Sequence, residues 1–258
     1  MMNISYGICV GKNHNTEYMG NLIRSIRNQN NDKYEILLIG ENLNQYAADD
    51  VKILFFDESE RSGWITKKKN ILAKYSRYDI VCILHDYILL DDNWLNGVRK
   101  ATEEIGNWNV LLNEVVTFEG TRHSDWQVSP FRMEELINKN PKLYVPMLMN
   151  VAPHENHPKY ICGLPYDVTD LTHVQYISGG IIFCKRELFT EVPMNENMIW
   201  GDAPGEDVEW SERLSKKSYL YNFNRYSKVH LQKSGKWKMY QMPNEFVIAL
   251  REYYGSKL

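Results

Sequence analysis

The chain has 258 residues, a formal net charge of -3, 43% hydrophobic and 24% charged residues. That is the balance of a soluble globular chain long enough to bury a substantial core. The slightly acidic charge argues against a broad nucleic-acid-binding face, and no apolar run reaches the roughly 18–20 residues of a membrane span. An aromatic fraction of 12%, with 17 Tyr and 7 Trp, suits contacts with sugars or nucleobases and equally suits a core.

In chain order, Ile4 to Val10 reads as a buried first strand that stops at Gly11-Lys12-Asn13. Met19, Leu22, Ile23 and Ile26 have helical spacing, so a helix is expected from Thr16 or Glu17. Lys33 to Ile39 is a second strand ending at Gly40-Glu41, and Val51 to Phe56 a third. Trp64 to Tyr75 reads as a helix carrying Lys67-Lys68-Lys69-Asn70. Its basic run suits either a solvated face or a ligand-facing turn. Asp79 to Leu84 is a fourth strand with His85-Asp86-Tyr87 at its carboxyl end, and Asn93 to Ile105 a further helix. This alternation predicts an α/β fold with a mostly parallel central sheet flanked by helices. Ligands of such sheets bind at the carboxyl ends of the strands, where Asn13, Glu41 and Asp86 fall.

Val110 to Phe118 predicts another strand. From about 119 to 173 the regularity dissolves into a segment with six prolines, Pro130, Pro141, Pro146, Pro153, Pro158 and Pro165, and one short helix near Phe131 to Asn138. Long irregular insertions in compact domains are usually functional. Trp126, Phe131, Tyr144 and Tyr160 suit sugar stacking or a small core of the insertion itself, and Phe131 is assigned to that core. His154-Glu155-Asn156-His157 lacks the helical His-Glu-x-x-His arrangement of a zinc site.

The apolar run Tyr176 to Cys184 carries the glycine pair Gly179-Gly180. A turn-rich loop with Trp200-Gly201 follows, and Gly205 precedes a helix opened by Glu206 and Asp207. Carboxylates are stabilised there by free N–H groups and the positive end of the helix dipole. Val208, Trp210 and Leu214 are expected to face inward, with Glu209, Ser211 and Glu212 on a polar face. Tyr219 to His230 is strand-like or irregular, and a polar, aromatic tail from 232 holds a helix from Glu245 to Tyr254.

Cys9, Cys82 and Cys184 lie in strand-like runs, and with Cys162 they show no CxxC spacing. They are expected to be reduced and structural, hence a cytoplasmic protein. The opening residues lack the pattern of a signal peptide. A peripheral association with the inner face of a membrane is compatible with these features.

Three sets of residues resemble a GT-A glycosyltransferase, near the inverting family 2 group and the galactosyltransferase-like C-terminal module. They are Ile4 to Asn13 with Leu22 to Gln29 and Glu35 to Ile39; Ile83 to Leu95; and Val174 to Gly180 with Trp200-Gly201 and Gly205-Glu206-Asp207-Val208-Glu209. The resemblance implies one GT-A domain over 1–258. Its parts are a nucleotide-binding half at 1–105, an acceptor and catalytic half at 106–231 and a tail at 232–258. It implies an inverting, metal-assisted transfer from a nucleotide-diphosphate sugar, with a UDP-sugar favoured, to a glycan acceptor such as a cell-surface polysaccharide. Asp207 is then the general base and Glu206 holds acceptor hydroxyls. Asn13, Glu41, Lys69, Asn70, Asp86, Gly179, Gly180 and Trp200 line the donor. Asp86 and His230 bind Mn²⁺ or Mg²⁺, and Lys233 and Lys236 screen diphosphate charge. The sequence departs from the Asp-x-Asp motif, because its first acid falls on Leu84 and only Asp86 keeps the second. Rival readings are a sugar nucleotidyltransferase, for which Gly11-Lys12-Asn13-His14 is a poor phosphate loop, and a non-catalytic nucleotide- or glycan-binding protein.

Overall fold

The computed structural model describes residues 2–30, 33–123, 125–140, 162–171, 174–199, 201–202, 205–233, 240–242 and 244–255. Its first half alternates as the hydrophobic pattern requires: β1 (Asn3–Cys9), α1 (Thr16–Arg27), β2 (Lys33–Gly40), β3 (Val51–Phe55), α2 (Ile65–Tyr75), β4 (Ile80–His85), β5 (Ile88–Leu90) and α3 (Trp94–Ile105). There follow β6 (Val110–Val116), α4 (Pro130–Lys139), β7 (Cys162–Gly163), β8 (Ile181–Lys185), α5 (Glu187–Glu191), α6 (Glu206–Leu214), β9 (Tyr221–Leu231), β10 (Tyr240–Gln241) and α7 (Asn244–Tyr254).

One eight-stranded sheet has the order β3-β2-β1-β4-β8-β6-β9-β5. Its first four strands are parallel. β8 runs antiparallel to β4 and to β6, β6 is parallel to β9, and β5 is antiparallel to β9. The parallel character is therefore concentrated in the first half, and the second half is mixed.

The strands are apolar on both faces because both faces are covered. Ile4, Tyr6 and Ile8 of β1 pack with Met19, Leu22 and Ile26 of α1. Leu37, Ile39, Val81 and Ile83 form the opposite core with Leu72 of α2 and with Trp126, Ile182, Trp210 and Phe246. α1 is held at its start by Asn15, whose side chain accepts from the amides of Glu17 and Tyr18 at 2.9 and 3.1 Å. A Cβ on Gly7 would lie 3.1–3.2 Å from three atoms of Leu72. Glycine in β1 thus lets α2 lie close against the sheet, which brings Lys69 to its edge.

The insertion supplies core as well as surface. Trp126 is buried against Phe223 with ring centroids 4.5 Å apart, and its indole N–H donates to the Val168 carbonyl at 3.1 Å. Phe131 departs from its expected place in that core: it lies on the outer side of α4 and is 38% exposed. Met133, Leu136 and Ile137 form the helix's inward stripe instead. Tyr144 and Tyr160 lie outside the described residues. The helix expected in the tail is α7, which contributes Phe246, Val247, Leu250 and Tyr254 to the core. No helix among the described residues is long and apolar enough to cross a membrane.

Candidate active site

Register decides which residues meet. Because β1, β2 and β4 are parallel, Cys9 lies beside both Ile39 and His85, so Gly11, Glu41 and Asp86 emerge on one rim. β8 enters antiparallel, with Ile181 opposite Leu84, so the residues preceding it arrive at that rim. The amide of His85 donates to the Gly180 carbonyl at 3.1 Å.

α6 delivers the acids. Gly205 precedes it at φ 108°, a backbone conformation that glycine adopts without strain. Val208, Trp210 and Leu214 are buried as expected, and the Trp210 indole donates to the Val192 carbonyl at 2.6 Å. Ser211, expected on the polar face, is instead buried and fixes the helix. Its hydroxyl accepts from the Ile177 amide at 2.9 Å and donates to the Asp207 carbonyl at 2.7 Å.

Asp207 is thereby held at both oxygens. Oδ2 accepts from the Gly179 amide at 2.8 Å, and Oδ1 from the Val208 amide at 2.9 Å. Burial, and then the neighbouring Glu206 carboxylate, push its pKa up to about 6 against the opposing pull of Lys69 and the two amides. The residue still keeps part of its surface open. Glu206 is buried, so these acids do not form a solvated helix start. Its Oε1 faces the fully buried Nζ of Lys69 at 3.4 Å, and that ammonium also donates to the Gly179 carbonyl at 3.1 Å. A Cβ on Gly179 would meet Asp207 Oδ2 at 3.0 Å and Lys69 Nζ at 3.2 Å. The glycine is the space in which base and ammonium sit.

The end of β4 continues the site. Asp86 Oδ2 accepts from the Gly11 amide at 2.9 Å. His85 Nδ1 and the Tyr87 hydroxyl are 2.8 Å apart, with the rings edge-to-face. Burial raises the Tyr87 hydroxyl pKa, and the carboxylates of Asp86, Glu206 and Asp207 raise it further. Tyr87 is thus within electrostatic reach of all three acids. Burial lowers the His85 pKa well below its ordinary value, and the ammoniums of Lys69, Lys233 and Lys68 lower it further.

No family model and no curated protein matches the sequence. Solved structures do resemble the fold. S. aureus TarS residues 1–349 superimpose with a TM-score of 0.57 at 13% identity, covering 97% of this chain and 64% of that one. The same TarS fragment in complex with UDP-GlcNAc gives 0.59 at 13% identity, covering 97% and 65%. Its complex with UDP gives 0.59 at 13% identity, covering 97% and 64%. The chain spans just under two thirds of the length of these structures. The fold is GT-A.

On this GT-A framework the anticipated residues divide. Asp207, Glu206, Lys69, Gly179 and Gly180 form one connected cluster, and Asp86 stands on the same rim. Asn13 is exposed on the turn after β1. Glu41 is partly engaged, because its Oε1 accepts from the Glu58 amide at 2.7 Å. Glu58 in turn binds the buried Lys68, which also donates to the Val10 carbonyl at 2.8 Å. Asn70 serves the loop after α5: it accepts from the Met194 amide at 2.9 Å, and its amide nitrogen donates to the Met194 carbonyl and a Glu196 carboxylate oxygen, both at 3.0 Å. The basic run on α2 is therefore no solvated face, since Lys68 and Lys69 are buried. Trp200, Lys236, His154 and His157 lie outside the described residues.

The GT-A resemblance implies a divalent cation on Asp86 and His230. His230 Nε2 faces Asp91 Oδ1 at 3.5 Å, Asp86 is engaged by Gly11, and Leu84 is fully buried. Among the described residues no group of three His, Cys, Asp or Glu side chains could hold a metal. Asp86 and His230 by themselves do not make up a donor set for the ion. Two features of the site had no role in the sequence reading: the His85–Tyr87 pair, and His14, whose Nε2 is 3.2 Å from the Tyr46 hydroxyl. The signal for the first was its place at the carboxyl end of β4.

Proposed function

We propose that this chain is a glycosyltransferase that moves a sugar from a nucleoside diphosphate to the hydroxyl of a glycan acceptor, with inversion. The observation that carries the reading is the state of Asp207. It is a carboxylate fixed by two backbone amides, still partly accessible, with a pKa close to the working range of a general base. It lies within electrostatic reach of Tyr87, which with Asp86 stands at the carboxyl end of β4, where α/β sheets bind ligands. The complexes of TarS with UDP-GlcNAc and UDP support a uridine donor.

In the proposed step the acceptor hydroxyl gives its proton to Asp207 as its oxygen bonds to the anomeric carbon. The bond from that carbon to the diphosphate oxygen breaks on the opposite face, and the nucleoside diphosphate leaves with the electron pair. Glu206, fixed by Lys69, keeps negative charge beside the base and raises its basicity.

Thermal unfolding against a panel of nucleoside diphosphates tests the reading. A ligand at about a hundred times its dissociation constant adds roughly 2.7 kcal/mol. A shift with UDP, followed by UDP release from a UDP-sugar in the presence of glycan acceptors, supports the transferase. Binding without turnover for any donor and acceptor favours a non-catalytic binding protein, and no shift with any nucleotide overturns both.

A further inference from the structure

We propose that the Lys233 ammonium, rather than a divalent cation shared by Asp86 and His230, meets the charge of the donor diphosphate; this rests on the nucleotide-sugar reading above.

The position of Lys233 follows from how the chain leaves β9. The Gln232 amide donates to the Tyr87 carbonyl at 2.8 Å. Its side-chain nitrogen donates to the carbonyls of Tyr18 at 2.9 Å and Ile88 at 3.1 Å, and its side-chain oxygen accepts from Asn21 at 3.0 Å. A residue pinned by four hydrogen bonds fixes where the next one starts. Lys233 accordingly reaches over the Tyr87 ring, with Nζ 3.4 Å from the ring centroid. It is also within electrostatic reach of Asp86.

Two of the other lysines of the rim are committed. Lys68 is buried on Glu58 and the Val10 carbonyl. Lys69 is buried on Glu206 and the Gly179 carbonyl. Lys12 stands exposed beyond β1. Lys233 is exposed at the mouth of the site but held over the Tyr87 ring, and among the described residues no carboxylate lies within ion-pairing distance of it. Tyr87, whose ring it covers, lies within electrostatic reach of Asp86, Glu206 and Asp207, so a diphosphate bound at this rim requires a cation to offset its own charge and theirs. A lysine supplies a mobile point charge for phosphate oxygens. The cation expected instead lacks its donor set: the first acid position is the buried Leu84, and His230 is turned to Asp91.

Calorimetric titration of the full chain with UDP, once in EDTA and once in Mn²⁺, decides the matter. UDP is expected to bind with similar affinity in both. Lys233→Gln should weaken UDP by about tenfold or more, as for loss of a charge-assisted contact, and Lys233→Arg should restore most of it. Uridine, which has no phosphate, should bind both variants as it binds the native chain; equal weakening of uridine and UDP would mean a merely structural lysine and overturns the proposal. So does UDP binding that disappears in EDTA, or that ignores Lys233→Gln. Those results leave the transferase reading intact, whereas absence of nucleotide binding in every condition removes that reading and this inference together.

Discussion

The Gly179 amide donates to Asp207 Oδ2 across 2.8 Å, and the Gly179 carbonyl accepts from Lys69 Nζ across 3.1 Å. One peptide segment therefore sets the position of the base on α6 and of the ammonium on α2, elements far apart in sequence. The contact orients the Asp207 carboxylate without closing it off, and the site's chemistry depends on that geometry more than on the acid alone.

Asp207→Asn keeps the shape of the side chain and removes its ability to take a proton. Turnover should fall by about 10²–10⁴-fold, the usual worth of a general base, while UDP affinity measured by calorimetry stays near that of the native chain. A matching fall in UDP affinity would make Asp207 a donor-binding residue instead.

Turnover should rise with pH through about 6, where Asp207 loses its proton, and level off above it. The stability effect has the opposite sign. A carboxyl raised from its ordinary value holds its proton longer folded than unfolded, so its contribution falls as pH climbs from about 4 to about 6. Glu206→Gln removes the adjacent negative charge and frees Lys69, and both changes lower the limb. A kcat–pH profile for the two proteins checks this, and an unmoved limb in Glu206→Gln would mean that Glu206 does not tune the base.

Much of this was legible in the sequence, and the reason it was legible differs by element. β1, β2 and β4 carry near-continuous apolar runs because the sheet is covered on both faces, and that pattern predicts strands with ligand-binding carboxyl ends. The order Gly179-Gly180, Gly205, Glu206-Asp207 gave the acidic helix start. The burial of Lys68, Lys69 and Glu206 was not legible, since a run of lysines and a pair of acids read as solvated until their partners, 10 and 137 residues away, are brought together. β5 was missed because three residues between a turn and a helix carry no period. The contacts of Asn70 with Met194 and of His230 with Asp91 were not legible either, because their partners come from other elements.

The glycine pair should tolerate substitution unequally. At Gly179 an added methyl would meet the carboxylate oxygen of Asp207 at 3.0 Å and Lys69 Nζ at 3.2 Å, whereas at Gly180 it would meet only Ile88 Cδ1 at 3.7 Å, an ordinary contact. Gly179→Ala should lower kcat by about 10²-fold through displacement of the base. Gly180→Ala should leave kcat within a few-fold of the native value. Equal losses would show that the pair serves close approach of the donor, not the placing of Asp207.

The Lys69–Glu206 pair should show the asymmetry of buried ion pairs. Lys69 is fully buried and Glu206 nearly so. Lys69→Met strands a carboxylate in the core beside Asp207 and should destabilise the chain by roughly 3–5 kcal/mol. Lys69→Met with Glu206→Leu removes both charges and should recover most of that loss, because neither ion then remains unpaired. Urea unfolding of the native chain and the two variants measures the difference. Recovery of stability without recovery of turnover would assign the pair to tuning Asp207. A double variant no more stable than Lys69→Met would show instead that Lys69 matters through its bond to the Gly179 carbonyl.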